Sequence, residues 1–115
     1  MKILICGDDA LIATMLEDIV AWHGHDACGV ASSSEGALAL AGAEEPDLAF
    51  VDLNLLDGRV GLRLVERLSE IRVPCVIVSG EARTLRPEES PAIACLGKPL
   101  DERRLADILA TRPTL

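Results

Sequence analysis

The sequence predicts an α/β domain of the (βα)5 type, in which helices cover both faces of a parallel five-stranded sheet. Short, nearly continuous apolar segments alternate with segments whose apolar residues recur at helical spacing, the pattern of a sheet buried on both faces. Turn-forming or helix-capping residues separate these segments. The 115 residues, half of them hydrophobic, are enough for one domain, 1–115, and too few for two.

The N-terminal segment predicts a strand followed by a helix. Residues 2–6 are aliphatic and end at Gly7-Asp8-Asp9. Apolar residues then recur every three or four positions, as on one face of a helix; they are Leu11, Ile12, Met15, Leu16, Ile19 and Val20. The turn at Gly24-His25 ends this helix, and residues 27–31 predict a second, weaker strand. Trp22 is expected to pack at the end of the helix.

The middle of the chain predicts a second helix, a third strand and a third helix. Ser32-Ser33-Ser34 offers hydroxyl groups that cap a helix rich in Ala and Leu, which ends near Gly42. After a break that contains a proline, the apolar residues 48–51 predict a strand that stops at Asp52. The segment 62–71 then carries apolar residues on one helical face and predicts a helix.

The C-terminal part completes the alternating pattern. Residues 75–78 are the most strand-like in the chain and end at Ser79-Gly80. The stretch 83–90 is polar and bounded by prolines, so any helix there is expected to be short or irregular. Residues 92–96 predict a fifth strand, and Asp101 is the predicted N-cap of a last helix.

Composition and charge argue against binding to nucleic acid. The chain has one Trp (Trp22), one Phe (Phe50) and no Tyr, whereas proteins that bind single strands usually stack bases on aromatic side chains. The net charge is −8, and up to Gly58 only Lys2 opposes eleven acidic residues. No basic patch of the kind that contacts phosphates is visible.

The N-terminus and the cysteines indicate a cytoplasmic protein with reduced thiols. The apolar segment 2–6 is far too short for the core of a signal peptide, and no apolar run approaches the length that spans a bilayer. The four cysteines lack the C-x-x-C spacing of a metal or redox motif; they are Cys6, Cys28, Cys75 and Cys95. We therefore expect no membrane contact, no disulfide and no zinc site.

Polar side chains follow four of the five predicted strands. Asp8 and Asp9 follow the first strand, Asp52 the third, Ser79 the fourth and Lys98 the fifth. Because the carboxyl ends of parallel strands meet at one edge of the sheet, these groups are expected to converge. Clustered carboxylates repel one another unless a hard cation offsets the charge, and Mg²⁺ typically takes one or two carboxylates, waters and phosphate oxygens. The pattern predicts a site for Mg²⁺ and phosphate.

This constellation contains the groups that phosphoryl transfer requires. Asp52 is the candidate nucleophile that forms an acyl phosphate, and Asp8 is the candidate metal ligand. Lys98 and the hydroxyl of Ser79 are candidates for binding the phosphoryl oxygens. Each residue alone would be interpreted as a solvated loop residue; their joint placement after the strands favours the functional interpretation.

The chain resembles the receiver domains of response regulators in two-component signal transduction over nearly its whole length. Four segments carry the resemblance: Ile3-Leu4-Ile5-Cys6-Gly7-Asp8-Asp9, Val51-Asp52-Leu53-Asn54-Leu55, Val76-Ile77-Val78-Ser79-Gly80 and Gly97-Lys98-Pro99-Leu100. The resemblance implies a flavodoxin-like sheet of order 2-1-3-4-5. It also implies a phosphoacceptor switch rather than an enzyme acting on other substrates. A histidine kinase or a histidine phosphotransfer protein would be the phosphodonor.

The same resemblance implies roles for individual residues. Asp52 matches the phosphoacceptor, Ser79 the switch hydroxyl and Lys98 the phosphate-binding lysine. The metal ligands would be Asp8, Asp9, Asp52 and the backbone carbonyl of Asn54, with Asp9 one position later than the family pattern. Output would occur by contact with a downstream effector protein, and a homodimer is an open alternative. A stand-alone receiver and one excised from a hybrid kinase would look the same.

Two departures from the family pattern leave an alternative open. Gly7 stands where the first of two consecutive acids is usual, and Cys95 holds the place of the usual switch aromatic. Both departures favour a pseudo-receiver, an interaction module that works without phosphorylation. A phosphatase of the haloacid dehalogenase type also uses an Asp nucleophile at a strand end. Its Asp-x-Asp pair is absent here because Asn54 stands two residues after Asp52.

Overall fold

The computed structural model describes residues 1–58, 60–80, 91–97 and 100–111. Five parallel strands form one sheet in the order β2-β1-β3-β4-β5. The strands are β1 (Lys2–Cys6), β2 (Asp26–Ala31), β3 (Leu48–Asp52), β4 (Cys75–Val78) and β5 (Ala94–Leu96). The helices in the described ranges are α1 (Ala10–Trp22), α2 (Ser34–Glu44), α3 (Gly61–Glu70) and α4 (Glu102–Ala110). The predicted flavodoxin-like fold and strand order are confirmed.

The sheet divides the core into two halves because alternate side chains of a strand point to opposite faces. On the central strand β3, Ala49 and Val51 pack with α2 and α3, whereas Leu48 and Phe50 pack with α1 and α4. Every residue of β3 is buried. An unbroken apolar strand is therefore required here, and a polar side chain is accommodated only at its carboxyl end, where Asp52 stands.

Side-chain caps define the starts of three helices. The Asp9 carboxylate accepts hydrogen bonds from the backbone N–H groups of Leu11 and Ile12 at the start of α1. Ser33 accepts one from the N–H of Gly36 at the start of α2. The predicted cap at Asp101 is also observed, because its carboxylate accepts from the first turn of α4. Such caps satisfy backbone donors that have no partner within the helix.

Two predicted elements differ from the structure or fall outside it. The fifth strand begins at Ala94 rather than at residue 92. The stretch 83–90, for which a short or irregular helix was predicted, lies outside the described residues.

The prediction that Trp22 packs at the helix end is wrong, because its side chain is 86% exposed. On α1, the buried face is formed by Ala13, Leu16 and Val20, and Trp22 lies on the opposite face. Apolar periodicity did not distinguish the two faces because both of them carry apolar residues.

The four cysteines are free thiols in the structure. Burial raises the pKa of Cys75 to about 12 and raises that of Cys6 still further. These two thiols therefore remain protonated and behave as small core residues. In the part of the chain that the structure describes, no helix is both long enough and apolar enough to cross a membrane.

The core and the surface of the helices should respond differently to the same truncation. Leu64 on α3 is 1% exposed, and Leu11 on α1 is 70% exposed. We expect Leu64→Ala to lower the free energy of unfolding by about 2–5 kcal/mol, because it removes buried apolar surface and leaves a cavity. Leu11→Ala should change it by less than about 0.5 kcal/mol. Urea unfolding followed by far-UV circular dichroism measures both, and equal losses would contradict the assigned core.

Candidate functional site

The candidate site lies at the carboxyl edge of the sheet, where β1, β3 and β4 end. Asp52 and Ser79 are the buried polar residues of the described chain, at 5% and 2% exposure. Asp52 pairs with Val78 in the register of β3 and β4, and Ser79 is the next residue along the chain. The backbone N–H of Ser79 donates to the carbonyl of Leu96, which ties the end of β4 to β5. The sheet therefore brings the predicted nucleophile and the predicted hydroxyl to neighbouring strand ends.

The carboxylate of Asp52 is held by the backbone that follows it. The N–H of Asn54 donates a hydrogen bond of 3.0 Å to Oδ1 of Asp52. This turn, in which an Asp side chain accepts from the N–H two residues later, fixes the orientation of the carboxylate. Asp52 is thus positioned by local backbone geometry as well as by the strand that carries it.

Gly7 leaves the space beside Asp52 open. A Cβ atom at residue 7 would lie 3.1 Å from the Cβ of Asp52 and 3.7 Å from its Oδ2. Gly7 is itself fixed, since its N–H donates to the carbonyl of Ala31 at 2.9 Å. Gly7, Asp9 and Asp52 line one small cleft with apolar side chains of α1 and of the strands. The residue that replaces the usual acid therefore stands next to the candidate nucleophile.

The predicted metal ligands differ in exposure, and of the four only Asp9 and Asp52 are among the described residues that line this cleft. Asp8, Asp9 and Asn54 are exposed, whereas Asp52 is buried. Oδ1 of Asp9 already accepts the two N–H groups that cap α1. Within the described ranges, no group of three or more His, Cys, Asp or Glu side chains could hold a metal ion. Mg²⁺ needs fewer protein ligands, because it takes one or two carboxylates and keeps several waters. The carboxylates of Asp8 and Asp52 and the carbonyl of Asn54 are donors of that chemical type, although Asp8 and Asn54 do not line the cleft with Asp52.

Lys98, the predicted phosphate-binding lysine, lies outside the described residues. Cys95, at the position of the usual switch aromatic, is partly buried on β5 and packs against the core beneath α2 and α3. Burial raises the pKa of this thiol, and the charge of Arg104 opposes that change.

The loop after Asp52 is closed by a tight turn and tied to α2. Leu55 and Gly58 exchange two backbone hydrogen bonds, and Gly58 has a φ of 113°, a conformation that favours glycine. The N–H of Leu56 donates to the carbonyl of Ser32 at 2.8 Å. The carboxylate of Asp57 accepts from the N–H of Ser34 at 3.2 Å and from the Ser34 hydroxyl. We call these contacts the Asp57 tether, formed by Ser32, Ser34, Leu56 and Asp57.

The Asp57 tether has an electrostatic consequence. The hydrogen bond from the Ser34 hydroxyl lowers the pKa of the Asp57 carboxyl below its ordinary value of 3.8. The charged form of Asp57 is the form that accepts these hydrogen bonds, so it is favoured. Sequence reasoning missed this residue, although an Asp directly before Gly58 and a run of serines were visible as loop signals.

Gly61 allows α3 to begin against the backbone of the candidate nucleophile. A Cβ atom at residue 61 would lie 2.4 Å from the carbonyl oxygen of Asp52 and 2.4 Å from the Cα of Leu53. The N–H of Gly61 donates to the carbonyl of Leu53 at 3.1 Å. No other residue type fits here without a shift of the backbone, so Gly61 positions Asp52. This contact was also missed, because it depends on the tertiary approach of two segments.

Comparisons of the sequence and of the structure with known proteins agree on one family. The family described as response regulator receiver domain matches residues 3–110. The phyllosphere-induced regulator PhyR of Methylorubrum extorquens is 31% identical over 112 residues. That match covers 95% of this chain and 42% of PhyR, so the chain spans about two fifths of that relative.

Solved structures of receiver domains are similar over nearly the whole chain. The solution structure of the PhyR receiver domain from Erythrobacter litoralis has a TM-score of 0.86 at 28% identity, and the match covers 99% of this chain and 95% of that domain. A CheY-like receiver domain from Methylobacillus flagellatus has a TM-score of 0.85 at 30% identity, with 98% of each chain covered. The PhyR of Bartonella quintana, described as an anti-anti-sigma factor, has a TM-score of 0.82 at 25% identity; the match covers 96% of this chain and 46% of that one.

The close approach at Gly61 predicts a strong effect of a single methyl group. We expect Gly61→Ala to lower the free energy of unfolding by about 1–3 kcal/mol, because the new Cβ collides with backbone atoms. Gly42→Ala on α2 is the matched control, since a Cβ there meets nothing within 4 Å. The control should raise stability by about 0.5–1 kcal/mol through helix propensity. Thermal unfolding compares the two, and a neutral Gly61→Ala would refute the close approach.

The lowered pKa of Asp57 predicts a stability difference that depends on pH. A carboxyl whose pKa is lowered in the folded state stabilises the protein above its unfolded pKa, and this contribution is lost as the pH falls through the folded pKa. We therefore expect Asp57→Asn to have a lower Tm than the wild type at pH 7. The two should converge as the pH falls below the ordinary carboxyl value of 3.8 and through the lowered pKa of Asp57, because the wild-type carboxyl then becomes protonated. Calorimetry across this range tests the tether, and a difference independent of pH would argue against it.

Proposed function

Because the chain belongs to the response-regulator receiver family, we propose that it accepts a phosphoryl group on Asp52 from a histidine kinase or a histidine phosphotransfer protein. The observation that carries this proposal is the buried carboxylate of Asp52 at the sheet edge, beside Gly7 and one strand from Ser79. A buried carboxylate is unfavourable unless its surroundings are built for it. Here the strand end, the Asn54 N–H and the Gly61 contact hold it in one place.

The proposed reaction transfers a phosphoryl group from a histidine nitrogen of the donor to a carboxylate oxygen of Asp52. A carboxylate oxygen of Asp52 attacks the phosphorus, and the bond between phosphorus and the histidine nitrogen of the donor breaks on the opposite side. The Ser79 hydroxyl and the Lys98 ammonium would bind the phosphoryl oxygens.

The residues at the site support a role for Mg²⁺ in this proposal. Asp8, Asp52 and the carbonyl of Asn54 would hold the ion, and Asp9 would contribute the carboxylate oxygen that does not cap α1. When bound, Mg²⁺ supplies positive charge that offsets the negative charge of the phosphoryl oxygens. Asp8 is exposed and would meet the ion together with its waters.

We propose that the protein is a switch in a two-component system and not an enzyme with other substrates. It would promote its own phosphorylation and dephosphorylation, and it would signal in the cytoplasm by contact with an effector protein or with a second copy. The description of the Bartonella quintana PhyR as an anti-anti-sigma factor supports output through protein contact. This chain covers under half of that protein, so the proposal names no effector.

A phosphorylation-independent pseudo-receiver is the second candidate function. The observation that favours it is Gly7, which removes an acid from the position directly beside Asp52. Cys95 on β5 favours it too, because a thiol lacks the ring whose rotation reports phosphorylation in many receivers. Both candidates use the same fold, so only chemistry at Asp52 separates them.

Phosphorylation in vitro separates the two candidates. We expect the wild-type protein, incubated with acetyl phosphate and Mg²⁺, to gain the mass of one phosphoryl group, and hydroxylamine should remove it as it does from an acyl phosphate. Asp52→Asn should gain nothing. Asp107→Asn on the outer face of α4 is the control and should be labelled like the wild type. Intact-mass spectrometry measures all three, and an unlabelled wild type would favour the pseudo-receiver.

A further inference from the structure

The only tryptophan of the chain lies exposed on the outer face of α1. Trp22 is 86% exposed, and two more apolar residues of α1 are exposed with it, Leu11 at 70% and Met15 at 37%. With Asp18, these residues fall within about 60° on the helical wheel, opposite the buried face of the helix. We call this set the outer stripe of α1, formed by Leu11, Met15, Asp18 and Trp22.

An outer helix that is apolar on both faces is not explained by the fold of one domain. A surface helix normally has one apolar face toward the core and a polar face toward the solvent. Large apolar side chains that are exposed on one side of a helix are typical of a site of interaction. Tryptophan is also the side chain most enriched among residues that dominate binding energy, because it buries a large area at low entropic cost.

The end of the stripe at Trp22 opens into a hollow of about 290 Å³ between α1 and α4. Ile19 and Trp22 supply its apolar wall, and the other lining residues in the described part of the chain are Asp18, His23 and Glu102. Among these described residues, the two carboxylates of Asp18 and Glu102 make the lining acidic, with His23 beside them. Arg103 and Arg104 follow Glu102 on α4 but do not line it.

We propose that this hollow, the Trp22 hollow, docks a basic amphipathic helix of a partner protein. The apolar side chains of that helix would pack on Trp22 and Ile19, and its lysine or arginine side chains would pair with Asp18 and Glu102. Charge complementarity selects this occupant over a second copy of the chain. A symmetric dimer would place the two acids of one copy near those of the other.

The Trp22 hollow is separate from the phosphoacceptor site. Trp22 lies about 20 Å along α1 from the Asp9 cap, given the rise of an α-helix. The proposal therefore does not depend on phosphorylation of Asp52. It would hold for a phosphorylated switch and for a pseudo-receiver alike.

The fluorescence of the single tryptophan reports occupancy of the hollow directly. The probe is a designed amphipathic helical peptide of leucine and lysine, and the matched control peptide has glutamine in place of lysine. We expect the lysine peptide to shift the emission of Trp22 to shorter wavelength in a saturable titration, as its indole leaves water. The glutamine peptide should bind at least about tenfold more weakly, because it lacks charge to pair with Asp18 and Glu102.

Charge reversals test whether Asp18 and Glu102 pair with the peptide directly or act only through the net charge of the protein. Asp18→Lys and Glu102→Lys should each weaken binding of the lysine peptide by about tenfold. Glu66→Lys on α3 changes the net charge equally and should leave the affinity within about twofold. All three residues are exposed, and far-UV circular dichroism verifies that each variant folds. Calorimetric titration of Trp22→Ala and Trp22→Phe measures the apolar contribution, and the phenylalanine variant should retain more affinity.

Several results would overturn the proposal. These are an unchanged emission on addition of the lysine peptide, equal binding of the two peptides, and a Glu66→Lys variant as impaired as Asp18→Lys. A blue shift that appears with rising protein concentration alone would instead identify a second copy of the chain as the occupant. A shift produced by neutral lipid vesicles would identify a lipid surface.

Discussion

The burial of one carboxylate at the end of the central strand is the constraint on which the site depends. β3 is covered on both faces, and Asp52 at its end is 5% exposed, so this group has exchanged most of its water for protein contacts. An unsatisfied buried polar group costs about 1–3 kcal/mol, so the surroundings of Asp52 must supply hydrogen bonds. The backbone N–H of Asn54 supplies one of these hydrogen bonds, to Oδ1 of Asp52. The close approaches at Gly7 and Gly61 show how tightly neighbouring segments enclose the residue.

The enclosure of Asp52 couples its loop to two helices by different means. α3 begins against the backbone of Asp52 and Leu53, which is a steric contact that only glycine at residue 61 permits. α2 is joined to the same loop by the Asp57 tether, which is polar and exposed to solvent. A steric contact between backbones does not change with pH or salt, whereas a charged cap weakens when it is protonated. The contact of the loop with α3 is therefore independent of pH, whereas its contact with α2 through the Asp57 carboxylate weakens when that group is protonated.

The sequence predicted the strands and the cap at Asp101 well, because both follow from short-range patterns. It also placed Asp52 and Ser79 at strand ends, since each stands where an apolar run stops, and their chemical roles stay predictions. The Asp57 tether and the Gly61 contact could not be found in this way, because each joins segments whose spatial relation depends on the whole fold. Trp22 was misplaced for another reason: α1 carries apolar residues on two faces, so its periodicity does not indicate which face is buried.

Asp9 illustrates how a structural role limits a chemical one. Its Oδ1 accepts two N–H groups at the start of α1, and loss of such a cap costs about 1 kcal/mol. A cation that drew the whole carboxylate away from the helix would forfeit that stabilisation. Binding through the second oxygen keeps the cap, and the position of Asp9 in the cleft with Asp52 is compatible with it. Asp9, and not Asp8, caps α1, so in the proposed site Asp8 could turn its whole carboxylate toward Mg²⁺ without loss of the cap.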